Sequence, residues 1–548
     1  MGYLAFYLAV ITACLLWSAT FTAAAARTDR AWLRRLLVTV AVVVPLAALL
    51  PWVMGTGMLA FAARLETNWF APTVTAFLSA LIGGVWIVRA GLSPAAVSSS
   101  PAAGWPLIGL AAMFLVAKAV TAGILLLIDN AVAAQAPYLR LEAAALMQEN
   151  LPPSLADADN AASLYGLAIA ALDADPSLGQ ESEPLNRCYS IDVDSAAVTE
   201  LLARHAATLD VLRRATDRKS CRFVRDWTRP SISTLLPELE FLRQSCRLLA
   251  LAARREAATG DTRAALDDIL RIRRLAAHVA EEPILVSGLV TTAIDATALT
   301  TLADVLPRLT KADLPALDAP AFRDFVKLPF TMQRQFQGEE AFGLSLFADL
   351  ADGRSDISIL RVLGGGSVEV PPVFAPLTVL YRSFMLPRDI TAYRTYMAKF
   401  HQVAVTAAGM PPRSYPEVKK RTDVIEQELL GRRPGIATGS LVPAYASVLR
   451  TQAQAQARHR AAEVLVAATR VRLTTGSVPE SIAALVPEGL AVVPRDPFTT
   501  DQPLLTKRAD DVWIVYSVGP DGEDDGGPVA PGADAVQGND DIGLRLAL

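Results

Sequence analysis

The sequence predicts a mostly α-helical protein in three parts. These are a four-helix transmembrane anchor over residues 1–128, an α-helical extracytoplasmic domain over 129–440, and a long helix leading into a small α+β unit over 441–548. Three observations carry this reading. First, a water-soluble globular chain has about 25% charged residues, whereas this 548-residue chain has 19%, with 52% apolar residues and a mean hydropathy of +0.33. The deficit is local: only nine charged residues lie between Met1 and Ile128, and the remaining 420 residues are 23% charged. Second, apolar residues from Asp129 to Thr475 recur at helical spacing. Third, strand-like alternation is confined to the last hundred residues.

The anchor is read from four apolar stretches, Tyr3–Ala25, Leu36–Phe61, Trp69–Val88 and Trp105–Leu127, each near the roughly 20 residues that cross a bilayer as helix. Ala23–Ala26 resembles a signal-peptide cleavage site, but no Lys or Arg precedes Tyr3, so the first stretch is read as a retained helix. Arg27, Arg30, Arg34 and Arg35 crowd the first loop, which the positive-inside rule assigns to the cytoplasm. Four spans then put the bulk of the chain outside it, in the periplasm of a bacterium with the anchor in its inner membrane. Lys118, in the fourth stretch, has no acidic partner in any span; its flexible stem is expected to snorkel to the interface. Pro45 and Pro51 are expected to kink the second span.

The charge divides with the chain. Residues 1–128 carry a net +5 and the rest a net −9, which argues against a nucleic-acid partner and leaves the lipid bilayer, an envelope protein or a second copy of the chain.

In the middle region, Tyr138–Asn150 reads as an amphipathic continuation of the last span, stopped by Pro152 and Pro153. Asp157 and Asp159 are expected to cap a helix ending at Leu172, and Ala196–Ala215 reads as a helix. Helices over Ser233–Ala257 and Arg263–Val279 flank Gly260–Asp261. This pair resembles a single tetratricopeptide-type hairpin, but no 34-residue recurrence extends it, and a plain antiparallel helix pair is the expectation. Val286–Leu306 is an apolar helix, yet Thr291, Thr292 and Asp295 make it too polar for a fifth span. Asp349–Pro372, with Gly364–Gly366, reads as a loop without phosphate-loop context. Helix is expected again over Ala375–Tyr381 and Asp389–Ala407.

Catalytic patterns are scarce. His205, His278, His401 and His459 fall in helical stretches, none with a second ligand at metal spacing, and neither G-x-S-x-G nor H-E-x-x-H occurs. Cys188, Cys221 and Cys246 allow three single bridges, and spacing does not choose among them. A membrane-bound hydrolase with dispersed residues, or a transport component using Lys118, stand as alternatives to a non-enzymatic envelope protein.

The last hundred residues are the most specific. A helix over Tyr445–Thr475 precedes Gly476-Ser-Val-Pro-Glu-Ser-Ile-Ala-Ala-Leu485, then Pro494-Arg-Asp-Pro-Phe498, Tyr516-Ser-Val-Gly-Pro-Asp-Gly522, the pair Gly526-Gly527 and Asp541-Ile542. Val512–Val518 alternates like a strand, with Pro503–Thr506 as its hairpin partner across Lys507–Asp511, and Pro497 favours a turn after Asp496. In that order these elements resemble the soluble half of the type II secretion major pseudopilins. The resemblance covers about 100 residues and implies the fold, not the filament role, because the corresponding helix is internal and carries Gln452, Gln454, Gln456 and Arg458. The family binds calcium in its C-terminal loop, and the residues here suit one. Asp521, Glu523 and Asp525 occupy alternate positions with Gly526 next, as in a D-x-[DN]-x-[DN]-G run. Gly532 at position 12 excludes an EF-hand, so Asp534, Asp540 or Asp541 would complete the shell. Nine acids and no base lie between Asp510 and Asp541, a repulsion that a divalent cation relieves.

Overall fold

The computed structural model describes residues 127–548 apart from short segments, chiefly 152–154, 176–184, 231–235, 356–380, 408–413 and 529–538, together with a few positions between 30 and 40. The four expected spans lie outside the described residues, apart from Leu127 and positions 36, 37, 39 and 40, which are helical. Lys118, Pro45, Pro51, Cys14 and Gly364–Gly366 also lie outside them, as does most of the expected Ala375–Tyr381 helix.

The described chain is mostly α-helical. Its helices are α1 (Ala136–Asn150), α2 (Ala162–Asp173), α3 (Ala196–Arg204), α4 (Ala206–Thr216), α5 (Glu238–Ala258), α6 (Thr262–Val279), α7 (Leu285–Val305), α8 (Pro320–Lys327), α9 (Gln333–Ala351), α10 (Leu386–Ala407), α11 (Tyr415–Arg432) and α12 (Ala444–Thr475). Three strands follow: β1 (Leu505–Ala509), β2 (Val512–Ser517) and β3 (Ile542–Ala547).

Local chemistry explains where several helices begin. Gly260 takes φ +94°, and the Asp261 carboxylate accepts the Ala264 amide at 3.0 Å, so α5 ends and α6 starts within four residues, as the Gly-Asp turn predicts. At α2 the expectation fails. Neither Asp157 nor Asp159 caps it; the Asn160 side chain accepts the Ala162 and Arg222 amides, tying the helix start to a segment 60 residues away. The expected helix over Ala196–Ala215 is two helices that meet at His205, which is buried and bonded to Asp175 at 2.9 Å. The loop predicted to begin at Asp349 starts later, since α9 runs through Ala351.

Among the described residues one helical stretch, Leu285–Arg308, is long and apolar enough to cross a bilayer, and 72% of its apolar window is buried. It is a core helix, with Ile294, Ala298, Leu299 and Leu302 in the main hydrophobic cluster. Thr291, Thr292, Thr297 and Thr301 satisfy their hydroxyls on the carbonyls one turn back, so the polar residues cost little inside the core.

The chain divides into two units. One comprises residues 1–138, 347–392 and 434–440; the other comprises 139–346, 393–433 and 441–548. In the first, fully buried Asp389 is the hub: it accepts from the Tyr381 hydroxyl at 2.5 Å, the Ala437 amide at 2.9 Å and the Thr438 amide at 3.0 Å. In the second, α2 to α8, α12 and the sheet share one hydrophobic cluster. Leu249, Ile272, Leu299, Leu302, Val464 and Leu465 pack in it with Trp513, Val515, Leu544 and Leu546 of β2 and β3. The sheet is antiparallel in the order β1-β2-β3, with Leu505 opposite Tyr516 and Val512 opposite Ala547. β1 begins two residues later than expected and runs to Ala509, so Lys507, expected in the turn, lies in the strand.

Cys188, Cys221 and Cys246 are all free and buried, so none of the three possible bridges is formed. Burial pushes the Cys188 thiol up to about 11 and the Cys246 thiol to about 12, and it raises Cys221 as well. Little reactive thiolate is therefore present at neutral pH.

Candidate functional site

The acidic end of β2 is built on Asp496. This carboxylate, 2% exposed, accepts the Phe498 amide at 2.8 Å, the Ser517 hydroxyl at 2.6 Å and the Val518 amide at 3.0 Å. The Asp of the P-x-D-P-F turn thus closes its own turn and fixes the end of the strand where the acidic loop departs. Four glycines with φ between +69° and +87°, Gly519, Gly522, Gly526 and Gly527, let nine residues reverse twice.

The expected ligands are not equivalent. Asp521 is exposed and spends Oδ1 on the Glu523 amide at 3.1 Å, and Glu523 is itself exposed. Asp525 is exposed too and accepts the Asp540 amide at 3.0 Å. Asp540 contributes that amide, and Asp534 lies outside the described residues. Asp541 is 8% exposed; its Oδ2 accepts the Gly527 amide at 2.7 Å, and its Oδ1 is buried with no hydrogen-bond partner. Burial, followed by the charges of Asp524 and Asp525, pushes Asp541 up to about 6. Alternation in sequence therefore does not bring Asp521, Glu523 and Asp525 together. The loop instead folds Asp525 and Asp541 into one backbone-tied arrangement with Asp524, a residue the alternating pattern passes over. The Asp524 carboxylate accepts the Tyr516 hydroxyl and the Gly526 amide, both at 2.9 Å. Among the described residues no three His, Cys, Asp or Glu side chains are gathered as a metal ion requires. Asp524, Asp525 and Asp541 each hold a backbone amide instead.

The histidines are packed as the sequence suggests, though three of them sit in charged networks. His459, 2% exposed, joins α12 to α7 through Asp295 at 2.6 Å and to α8 through the Val326 carbonyl at 3.0 Å. Arg273 of α6 holds the other Asp295 oxygen at 2.6 Å and lies 3.6 Å from the centre of the Phe330 ring. His278 donates Nε2 to the Arg218 carbonyl, so its Nδ1 accepts the buried Tyr165 hydroxyl at 2.8 Å. Burial lowers His278 to about 4, which leaves this pair neutral. The most open is His401, 3.4 Å from Glu340, with its side chain 23% exposed and the Arg394–Glu142 ion pair close enough to shift Glu340.

Arg225 bridges two further buried carboxylates, Glu238 and Glu282, between the rings of Phe223 and Trp227. Burial raises Glu282. Glu281 and Glu282 sit in the turn between α6 and α7.

Comparison with protein-family models, curated proteins and solved structures finds no match to this chain.

Proposed function

We propose that the chain is a non-enzymatic, multi-pass protein of the bacterial inner membrane. Its helical domain and pseudopilin-like module stand on the periplasmic side, where they make contacts with an envelope protein or with a second copy. The observation that supports membrane placement is where apolar side chains remain exposed. Leu36 and Leu127 are 50% and 71% exposed, and each ends an apolar stretch long enough to span. Large apolar side chains left open beside such stretches are accounted for by lipid. Reporter fusions after residues 31, 65, 98 and 130 test the topology. Periplasmic activity is expected at 65 and 130 and cytoplasmic activity at 31 and 98; a cytoplasmic signal at 130 overturns the arrangement.

In this reading the acidic loop is a calcium-responsive contact surface. Asp541 supports it with a buried, unpartnered oxygen beside Asp524 and Asp525, and Asp521 and Glu523 are exposed within the same turn. Asp534, Asp540 and Asp541 remain the proposed late ligands. Calcium chloride at pH 7.5 should raise the melting temperature of the full-length protein, and chelator should reverse the shift. The folded Asp541 titrates near 6, above its unfolded value of about 3.9. The folded loop therefore holds the proton more tightly: stability from this group is full below about pH 4 and is lost as pH rises through 6. Calcium competes for the same carboxylate, so the calcium-induced shift should shrink as pH falls below 6. A shift that is absent at pH 7.5, or undiminished at pH 5, removes calcium from the account.

A second reading, an envelope hydrolase, has one specific observation behind it. The half-open His401–Glu340 pair beside Arg394 and Glu142 is the described histidine setting nearest to an acid–base dyad.

A further inference from the structure

The sequence predicts an amphipathic α1, and one face is core: Ala136, Leu139, Ala143 and Met147 are between 0% and 3% exposed. The outer face keeps two large apolar side chains open, Tyr138 at 74% and Leu141 at 69%, with Ala145 following one turn on. Glu142 shares that face, its side chain 42% exposed and paired with Arg394. Large apolar side chains left open together on one helix face mark a contact surface.

We propose that this face lies in the outer bilayer interface, held by the lipid at the mouth of the anchor. This inference rests on the membrane placement proposed above. Two observations select lipid. Directly before α1 stands Trp105–Leu127, long enough to span, and Leu127 is itself 71% exposed. Residues 127–133 are helical and end in a turn at 134–135, where the Ala134 and Gln135 amides bond Asn130 and Val132, so the chain can change direction on leaving the membrane. Tyr at the first exposed position suits the headgroup layer, where aromatic side chains with a polar tip concentrate. A second copy of the chain fits worse. The stripe from Tyr138 to Ala145 is about 11 Å long at 1.5 Å per residue and about 10 Å wide, an area on the order of 100 Å², far short of the roughly 800 Å² per partner that a stable interface buries.

The test uses full-length protein in phosphatidylethanolamine–phosphatidylglycerol vesicles, with an environment-sensitive fluorophore on Y138C, L141C or Q148C. Unsubstituted protein gives the background from native thiols. Probes at 138 and 141 should shift to the blue and lose intensity to lipid-borne nitroxide quenchers, while the probe at 148 should be quenched by aqueous iodide. Iodide quenching at 138 and 141 equal to that at 148 overturns the proposal. A disulfide-linked dimer of L141C formed on mild oxidation also overturns it, in favour of a second copy. Carbonate extraction separates the two levels of the reading. If the chain stays with the membrane and 141 is aqueous, only the interfacial helix fails; if the chain is released, the anchor fails with it.

Discussion

Asp295→Ala is expected to lower the stability of the helical domain by about 3–5 kcal/mol, the usual cost of removing one partner from a buried ion pair. The reason is the hydrogen-bond inventory around His459. Its Nδ1 faces the Val326 carbonyl, which only accepts, and its Nε2 faces the Asp295 carboxylate. Burial pushes Asp295 up, but His459 and Arg273 outweigh it and hold the carboxyl below its usual range. Asp295 thus holds two partners in a pocket where the ring is 2% exposed to solvent. Alanine leaves the largely buried Arg273 guanidinium without its carboxylate, beside a cavity. Asp295→Asn should cost less, roughly 1–2 kcal/mol for a weakened charged hydrogen bond. Its oxygen keeps Arg273. The native contribution is present above the unfolded carboxyl value and disappears as pH falls through the depressed folded value. Thermal unfolding of the two variants at neutral pH checks this order; equal melting temperatures for wild type and Asp295→Ala would contradict it.

Gly519→Ala should cost roughly 3 kcal/mol, combining the strain of a left-handed non-glycine residue with overpacking against backbone. Gly519 has φ +69°, and a Cβ there would overlap the Asp540 carbonyl, a backbone atom that cannot rotate aside. The loop would separate from the 540–541 strand entry, releasing the Asp525 bond to the Asp540 amide and the Asp541 bond to the Gly527 amide. Backbone amides of β3 should exchange faster with deuterium in this variant, and its calcium-induced melting shift should vanish. Gly522→Ala, also at positive φ but with nothing near its Cβ, should show only the backbone strain and keep the shift. If the two alanine variants behave alike, contact with Asp540 is not what holds the loop.

These two sites differ in how legible they were. The acidic loop was visible because its signals are local: glycines at turn positions, an Asp-Pro turn and a β-branched alternation in β2 lie within 30 residues. Which carboxylates face inward was not visible. Asp541 is buried because Gly527 and Ile542 are held against β2, and Asp524 matters because Tyr516, on the adjacent strand, donates to it. The His459–Asp295 pair, 164 positions apart, left no trace beyond two polar residues in apolar helices. Asn160, chosen over Asp157 and Asp159, shows the same limit on a smaller scale, since its second partner is the Arg222 amide on a distant segment.

The sequence by itself determined the partition of charge, the helical character, the Gly-Asp turn between α5 and α6, and the run of turn glycines in the acidic loop. These follow from side-chain periodicity and backbone allowance within a few residues. The tertiary structure alone decided which acids are buried, which histidine meets a buried carboxylate, that the sheet shares its core with the helices, and that Tyr138 and Leu141 of α1 stay open. Those outcomes depend on which distant elements exclude water from a given side chain, and burial of a charge or an apolar face has an energy only once the covering partner is in place.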